Sequence, residues 1–334
     1  MLNIYDSLPA GLLQRDATRL HEVLPGPSLF RLPGKRQPPL FISLLLHGNE
    51  VTGWQAMQTI LEKYRHGELP RSLYMFIGNI EAAREGLRHL PGQSDYNRIW
   101  KGEGDGPEAV MVRQVLEIMA EQHPFASIDL HNNTGRNPHY ACINKLEADF
   151  MHLAGLFSRT VVYFIRPDSV LSMAFAALCP SVTIECGRPG EPHGVTHAVE
   201  FIDACLHLTE FPAHQVAPHD IDLFHTVAVV KVPPQLSIGI EDEVADICLP
   251  RELDQLNFCE LAPGTVLGYV KSSAAGSGFL VTDEAGEDIS DRYFSLDETH
   301  IRIRTAVMPS MLTMDTAIIK QDCLCYLLER LATA

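Results

Sequence analysis

The sequence predicts an α/β fold, a mixed and largely parallel sheet flanked by helices, followed by a smaller C-terminal, mainly β domain. Three observations point there. From residue 40 to about residue 210, short apolar runs alternate with segments whose apolar residues recur at helical spacing. Beyond roughly residue 215 the rhythm changes to β-like runs separated by Gly, Pro and Asp turns. Between the two, FPAHQVAPHD (211–220) has the composition of a linker, which sets the expected domains at 1–214 and 215–334. The chain has no internal repeat.

The first buried strand is LFISLLL (40–46), a continuous apolar run too short for a helix. After a turn at HGNE, Val51, Trp54, Met57, Ile60, Leu61 and Tyr64 mark one face of an amphipathic helix. SLYMFIGN (72–79) is the next strand, PEAVMVRQVLEIMAEQ (107–122) a strong helix opened by proline, and FASIDL (125–130) a strand that ends at His131. HYACIN, a helix through KLEADFMHLAGLFS, TVVYFI, a short helix around SMAFAAL, SVTIEC and a helix through THAVEFIDACLHL complete the pattern. HTVAVVKVP, TVLGYV, GFLVTD and HIRIRTAV are the strands expected of the second domain.

At 334 residues with ordinary apolar content, the chain buries a full core without staples. A formal charge of -16 repels phosphate backbones and anionic lipid, and basic stretches such as RLPGKRQPP (31–39) are short and broken by Pro and Gly, so neither a nucleic acid nor a membrane surface is an expected partner. The eight cysteines contain no CxxC pair and mostly sit in apolar runs, which suits reduced core thiols and a cytoplasmic location. MLNIYDSLPAGLLQRDATRL lacks the basic start and apolar core of a secretion signal. GxxxxGK and GxGxxG loops are absent, which removes support for nucleotide-driven chemistry.

Open α/β sheets place working groups where strands end, and three strand ends here carry them. LLLHGNE sets His47 and Glu50 three apart across a strand-to-helix turn, with Gly48 expected to permit a tight bend. SIDLHNNT puts His131 at a strand terminus, with Asp129 on the same face to orient an imidazole. VTIECG ends a strand with Glu185. Two His and one Glu with an open fourth position is the ligand set of a catalytic zinc, and an unligated carboxylate such as Glu185 is placed to take a proton from the attacking water.

HGNE, the later DYNR, DLHNNTGRNPHY and TIECG occur in the order and approximate spacing of the succinylglutamate desuccinylase and aspartoacylase family, which the chain resembles over most of its length. The stretch NFCELAPGTVLGYV looks like that family's smaller C-terminal β domain. The resemblance implies a zinc-carboxypeptidase-like fold, one zinc ion per chain held by His47, Glu50 and His131, and Glu185 as general base. It further implies Arg88 as oxyanion stabiliser, and Asn97 and Arg98 as the pair that grips a substrate carboxylate, a task for which a planar guanidinium is suited. SVLSMAFAALCP lacks the arginine that precedes the general base in aspartoacylase, leaving Arg166 and Arg188 as local substitutes. AVMPSMLTMDTAIIK offers no counterpart of that enzyme's C-terminal tyrosine, so N-acetylaspartate is not singled out as substrate.

The expected activity is hydrolysis of an amide bond in an N-acyl amino acid or a similar small carboxylate-bearing substrate, with a homo-oligomer left open. A metallocarboxypeptidase acting on short peptides shares the chemistry, and a non-catalytic zinc-binding scaffold would lack a ligand or Glu185. Arg136 and His139, near the His131 loop, are further substrate contacts to consider, as are Arg166, Arg188 and His193. His193 and His197, four apart at a helix start, lack a visible third ligand for a second metal. Cys323 and Cys325 are expected at a core helix boundary.

Overall fold

The computed structural model describes residues 1–241, 244–271 and 278–331, which divide into two compact units. The first holds residues 1–132 and 139–222, the second residues 133–138 and the chain from Leu223 onward.

Unit one contains β1 (Asn3–Tyr5), β2 (Ser28–Leu32), β3 (Leu40–Leu44), α1 (Thr52–Lys63), β4 (Leu73–Ile77), α2 (Ile80–Glu85) and α3 (Pro107–Gln122). It continues with β5 (Ala126–His131), β6 (Tyr140–Ile143), α4 (Ala148–Phe157), β7 (Thr160–Tyr163), α5 (Leu171–Phe175), β8 (Ser181–Glu185) and α6 (Pro192–His207). Its strands lie in the order β1-β2-β4-β3-β5-β8-β6-β7. The centre, β4-β3-β5-β8, is parallel throughout, whereas β2 runs antiparallel to β4 and β6 antiparallel to β8.

Every residue of β3, β5 and β8 is buried. Parallel strands covered by helices on both faces need apolar side chains at every position, which is why these three read as continuous runs and not as alternation. β1 and β2 escaped that reading because they precede the periodic region; α2 escaped it because it spans only Ile80–Glu85, fixed by the Asn79 side chain accepting from Ala82 N at 3.1 Å.

Unit two contains β9 (Asp222–Lys231, whose first residue belongs to unit one), β10 (Ile238–Ile240), β11 (Ile247–Leu249), β12 (Val266–Val270) and β13 (Leu280–Thr282). Then follow α7 (Ser290–Tyr293), β14 (Phe294–Asp297), β15 (His300–Ile303), β16 (Met308–Ser310), α8 (Thr316–Gln321) and β17 (Cys325–Arg330). β13, β9, β17 and β16 pair antiparallel in that order, and β10-β11-β12-β15-β14 form a separate five-stranded sheet. Val230, Leu249, Leu267, Val281, Tyr293, Ile301 and Leu327 fill the core of this unit.

The division differs from the expected boundary at 214/215. Residues 215–222 group with unit one, where Asp222 N donates to Arg159 O at 2.6 Å. The excursion 133–138 groups with the second unit through a Thr134–Thr313 hydroxyl bond of 2.8 Å and a Met311 N bond to the Asn137 side chain of 2.9 Å.

All eight cysteines are free, and only Cys259 is exposed. Cys323 and Cys325 lie buried just after α8, with Cys325 opening β17. Among the described residues, no helix is long and apolar enough to cross a membrane.

Candidate metal centre

The chain leaves β3 through Leu45, whose φ of 55° is left-handed, while Asn79 N and Gly78 N hold the carbonyls of Leu45 and Leu44 at 2.6 and 3.0 Å. A leucine in this region carries about 1–2 kcal/mol of strain, a cost met here by the surrounding packing. The tight bend expected of Gly48 is therefore made three residues earlier. Gly48 is required for another reason: a Cβ there would stand 2.1 Å from Ala83 N and 2.3 Å from Ala82 C, so only glycine lets α2 lie against the His47 loop.

Asn132 ties the three strand ends together. Its side-chain oxygen accepts from Thr52 N at 3.2 Å, capping α1, whose own first residues supply no capping side chain. Its amide donates to Thr52 Oγ1 and Gly187 O, both at 2.9 Å, and its backbone N donates to Glu50 Oε2 at 3.2 Å.

His47, Glu50 and His131 are 3%, 6% and 4% exposed, and one donor atom from each lies within 4.8 Å of the others. The Nδ1 atoms of both imidazoles face the same carboxylate, His47 at 2.8 Å from Glu50 Oε1 and His131 at 2.7 Å from Oε2. The Nε2 atoms face different carboxylates, Asp95 for His47 at 3.0 Å and Asp129 for His131 at 2.9 Å. Ser43 donates to the other oxygen of Asp129.

The charges respond to this crowding. Burial alone would depress the His131 imidazole, but Asp129 and then Glu50 outweigh it and hold the group well above its ordinary value. Burial alone would raise Glu50, yet His47 and His131 hold it well below the carboxylate range; Asp95 is likewise pulled down against burial by His47, Arg88 and Arg98.

Glu185 is different. Its Cα is the register partner of His131 across the β5–β8 pair, and burial pushes its carboxyl up to about 7, His131 pulling it down and Glu50 pushing it up.

The residues present fit a metal ion. A buried carboxylate is stable when paired with cations, and two imidazoles and one carboxylate whose donor atoms lie within 4.8 Å of one another suit a divalent ion. Asp95 and Asp129 on the far nitrogens fix ring orientation and direct each Nδ1 inward, the usual support for histidine ligands.

Arg88 donates to Asp95 Oδ2 through Nε at 3.2 Å and Nη2 at 3.0 Å, and its Nη1 lies 3.8 Å from Glu50 Oε1. The Asn97 side-chain nitrogen lies 3.3 Å from His131 Nε2, while its oxygen accepts from Leu171 N at 3.0 Å. Arg98, half-buried, donates to Asn97 O at 3.0 Å and adds to the field on Asp95.

Arg166 is exposed and pairs with Asp168, Arg136 is exposed in unit two, and Arg188 is half-buried beyond β8. His139, His193 and His197 gather in a cluster of their own. Sequence reasoning missed Asp95 and Asn132. Asp95 sits inside the DYNR motif two residues before Asn97, and the requirement of a histidine ligand for an acceptor on its far nitrogen was the signal available to find it.

The model of the succinylglutamate desuccinylase/aspartoacylase catalytic domain matches residues 36–208. A succinylglutamate desuccinylase from Pseudomonas paraeruginosa (strain DSM 24068 / PA7) is 34% identical over 116 residues, a stretch covering 33% of this chain and 34% of that protein, so the match spans about a third of the relative's length. Among solved structures, the succinylglutamate desuccinylase from Chromobacterium violaceum superposes with a TM-score of 0.58 at 15% identity, over 90% of this chain and 86% of that one. Murine aminoacylase 3 gives 0.57 at 16% identity over 89% and 97%.

Proposed function

Because the chain belongs to the succinylglutamate desuccinylase/aspartoacylase family, we propose that it is a zinc-dependent hydrolase of an amide bond in an N-acyl amino acid or a similar small carboxylate-bearing substrate. The observation that carries this reading is the convergence of His47, Glu50 and His131 donors beside Glu185, a buried carboxyl with a value of about 7. The names of the relatives, a succinylglutamate desuccinylase and an aminoacylase, support the substrate class.

When bound, one zinc ion per chain would supply Lewis acidity, lowering the pKa of water and polarising the scissile carbonyl. The remaining work belongs to side chains. Glu185, poised near neutrality, accepts a proton as water oxygen bonds to the carbonyl carbon, and then delivers it to the departing nitrogen as the C–N bond breaks. A carboxylic acid and a free amine result.

Arg88 is held by Asp95 with one amino group turned toward Glu50, and a cation so placed stabilises the oxyanion of the tetrahedral state, worth about 3–4 kcal/mol of barrier. Arg98 and Asn97 take the substrate carboxylate, the guanidinium through paired hydrogen bonds. A reducing, cytoplasmic compartment suits the free buried thiols.

Primary-amine release from a matched panel of N-acetyl and N-succinyl amino acids and short peptides, with and without a zinc chelator, tests the reading. Chelator-sensitive cleavage of the acyl amino acids is expected. Release of C-terminal residues from peptides in their place would overturn it in favour of a carboxypeptidase.

A further inference from the structure

The segment that leaves α2 carries Arg88 and Asp95, and its path is fixed at points outside the candidate metal centre. Arg88 O accepts from Gly48 N at 3.1 Å. Beyond it, Leu90, Pro91, Gly92 and Gln93 form a β-turn closed by Gln93 N donating to Leu90 O at 3.0 Å. Pro91 supplies the fixed φ of the second position, and Gly92, at φ 79°, the left-handed third position of a type II turn. The turn brings the chain back so that Arg88 and Asp95, seven residues apart, meet side chain to side chain at 3.0 Å.

Gln93 locks this turn with its side chain. The oxygen accepts from Leu90 N at 3.0 Å and from the Asn79 amide at 2.8 Å, and the Gln93 amide donates to Asn79 Oδ1 at 3.2 Å. Asn79 is 1% exposed, caps α2 through Ala82 N and holds Leu45 O with its backbone N, so Gln93 fastens the segment to the chain where it leaves β3 and β4. Apolar packing does not replace this amide pair, because Gln93 borders a cavity of about 210 Å³ that it shares with Glu81, Tyr96 and Glu108. The residues that follow are anchored separately: Asn97 Oδ1 accepts from Leu171 N at 3.0 Å, and Trp100 N donates to Ser169 O at 2.9 Å.

We propose that Gln93 is a positioning residue for the hydrolysis described above, its reciprocal amide pair with Asn79 setting the Arg88 guanidinium where it meets the oxyanion. The proposal rests on the hydrolase reading of the site. Without the pair the segment samples other placements of Arg88, and a misplacement of about 1 Å costs roughly a hundredfold in rate. Asn97 and Arg98 keep their own anchors, so the grip on the substrate carboxylate is retained.

The test compares wild type, Gln93→Leu, Arg88→Ala and the double variant in hydrolysis of acyl amino acids, with zinc counted per chain and amide hydrogen exchange followed by mass spectrometry. Leucine keeps the volume of this half-buried side chain and removes its hydrogen bonds. Gln93→Leu is expected to retain about one zinc and to lose about tenfold to a hundredfold in kcat with KM changed by less than about threefold. Exchange should quicken in peptides spanning 86–96 and stay at the wild-type rate in 97–110. Added to Arg88→Ala, the same replacement should cost less than about threefold more. A loss carried by KM, loss of zinc, unchanged kinetics, or a further loss over Arg88→Ala as large as that in the wild type would overturn the proposal. A wild type that cleaves no acyl amino acid sinks the hydrolase reading, whereas unchanged exchange in Gln93→Leu sinks the latch whatever the substrate.

Discussion

Glu185 closes a strand whose every residue is buried, and its chemistry follows from that position. A carboxyl with a folded value of about 7 and an ordinary value of 4.5 favours the folded state below about pH 4.5 and loses that contribution as the pH rises through 7. In zinc-free protein, the stability of the wild type relative to Glu185→Gln should therefore fall between pH 4.5 and 7, by up to about 3 kcal/mol, in urea unfolding followed across that range. A flat difference would contradict the burial argument. With zinc present, the same variant should keep the metal and lose roughly 10²–10⁴ of turnover. The convergence of His47, Glu50 and His131 beside Glu185 was legible in the sequence because these residues close strands or follow them directly, after apolar runs. Asp95 and Asn132 were not: their roles depend on contacts across 48 and 82 residues of chain, to His47 and Glu50, that no local pattern encodes.

At the scale of elements, the central parallel strands and the long helices α1, α3 and α6 were readable from unbroken apolar runs and helical spacing, which burial on both faces or on one face imposes. Several short elements were not readable; β1, β10 and β11 span three residues each, too few for any period to emerge. Gly48 serves a close approach to α2, and the left-handed residue is Leu45. Gly48→Ala should consequently push α2 from the His47 loop and destabilise the protein by at least about 1–3 kcal/mol, seen as a lower urea midpoint and as weakened metal retention. An unchanged midpoint would mean that the loop and α2 can separate without cost.

For the molecule as a whole, the division into an α/β unit and a β-rich unit was visible as a change of rhythm, but its position was not. Composition marks where a chain is exposed, while the division follows which residues contact one another: residues 215–222 group with unit one, where Asp222 N donates to Arg159 O. The net charge of -16 makes the arginines of the candidate metal centre local exceptions: Arg88 and Arg98 add to the field around Asp95 in a chain otherwise repulsive to anions. The whole account turns on the metal. Zinc counted per chain in purified wild type and in His47→Ala, each shown folded by circular dichroism, tests it most directly. About one equivalent in the wild type and its loss in the variant is the predicted result; a full equivalent retained by His47→Ala would contradict the ligand set and, with it, the proposed chemistry.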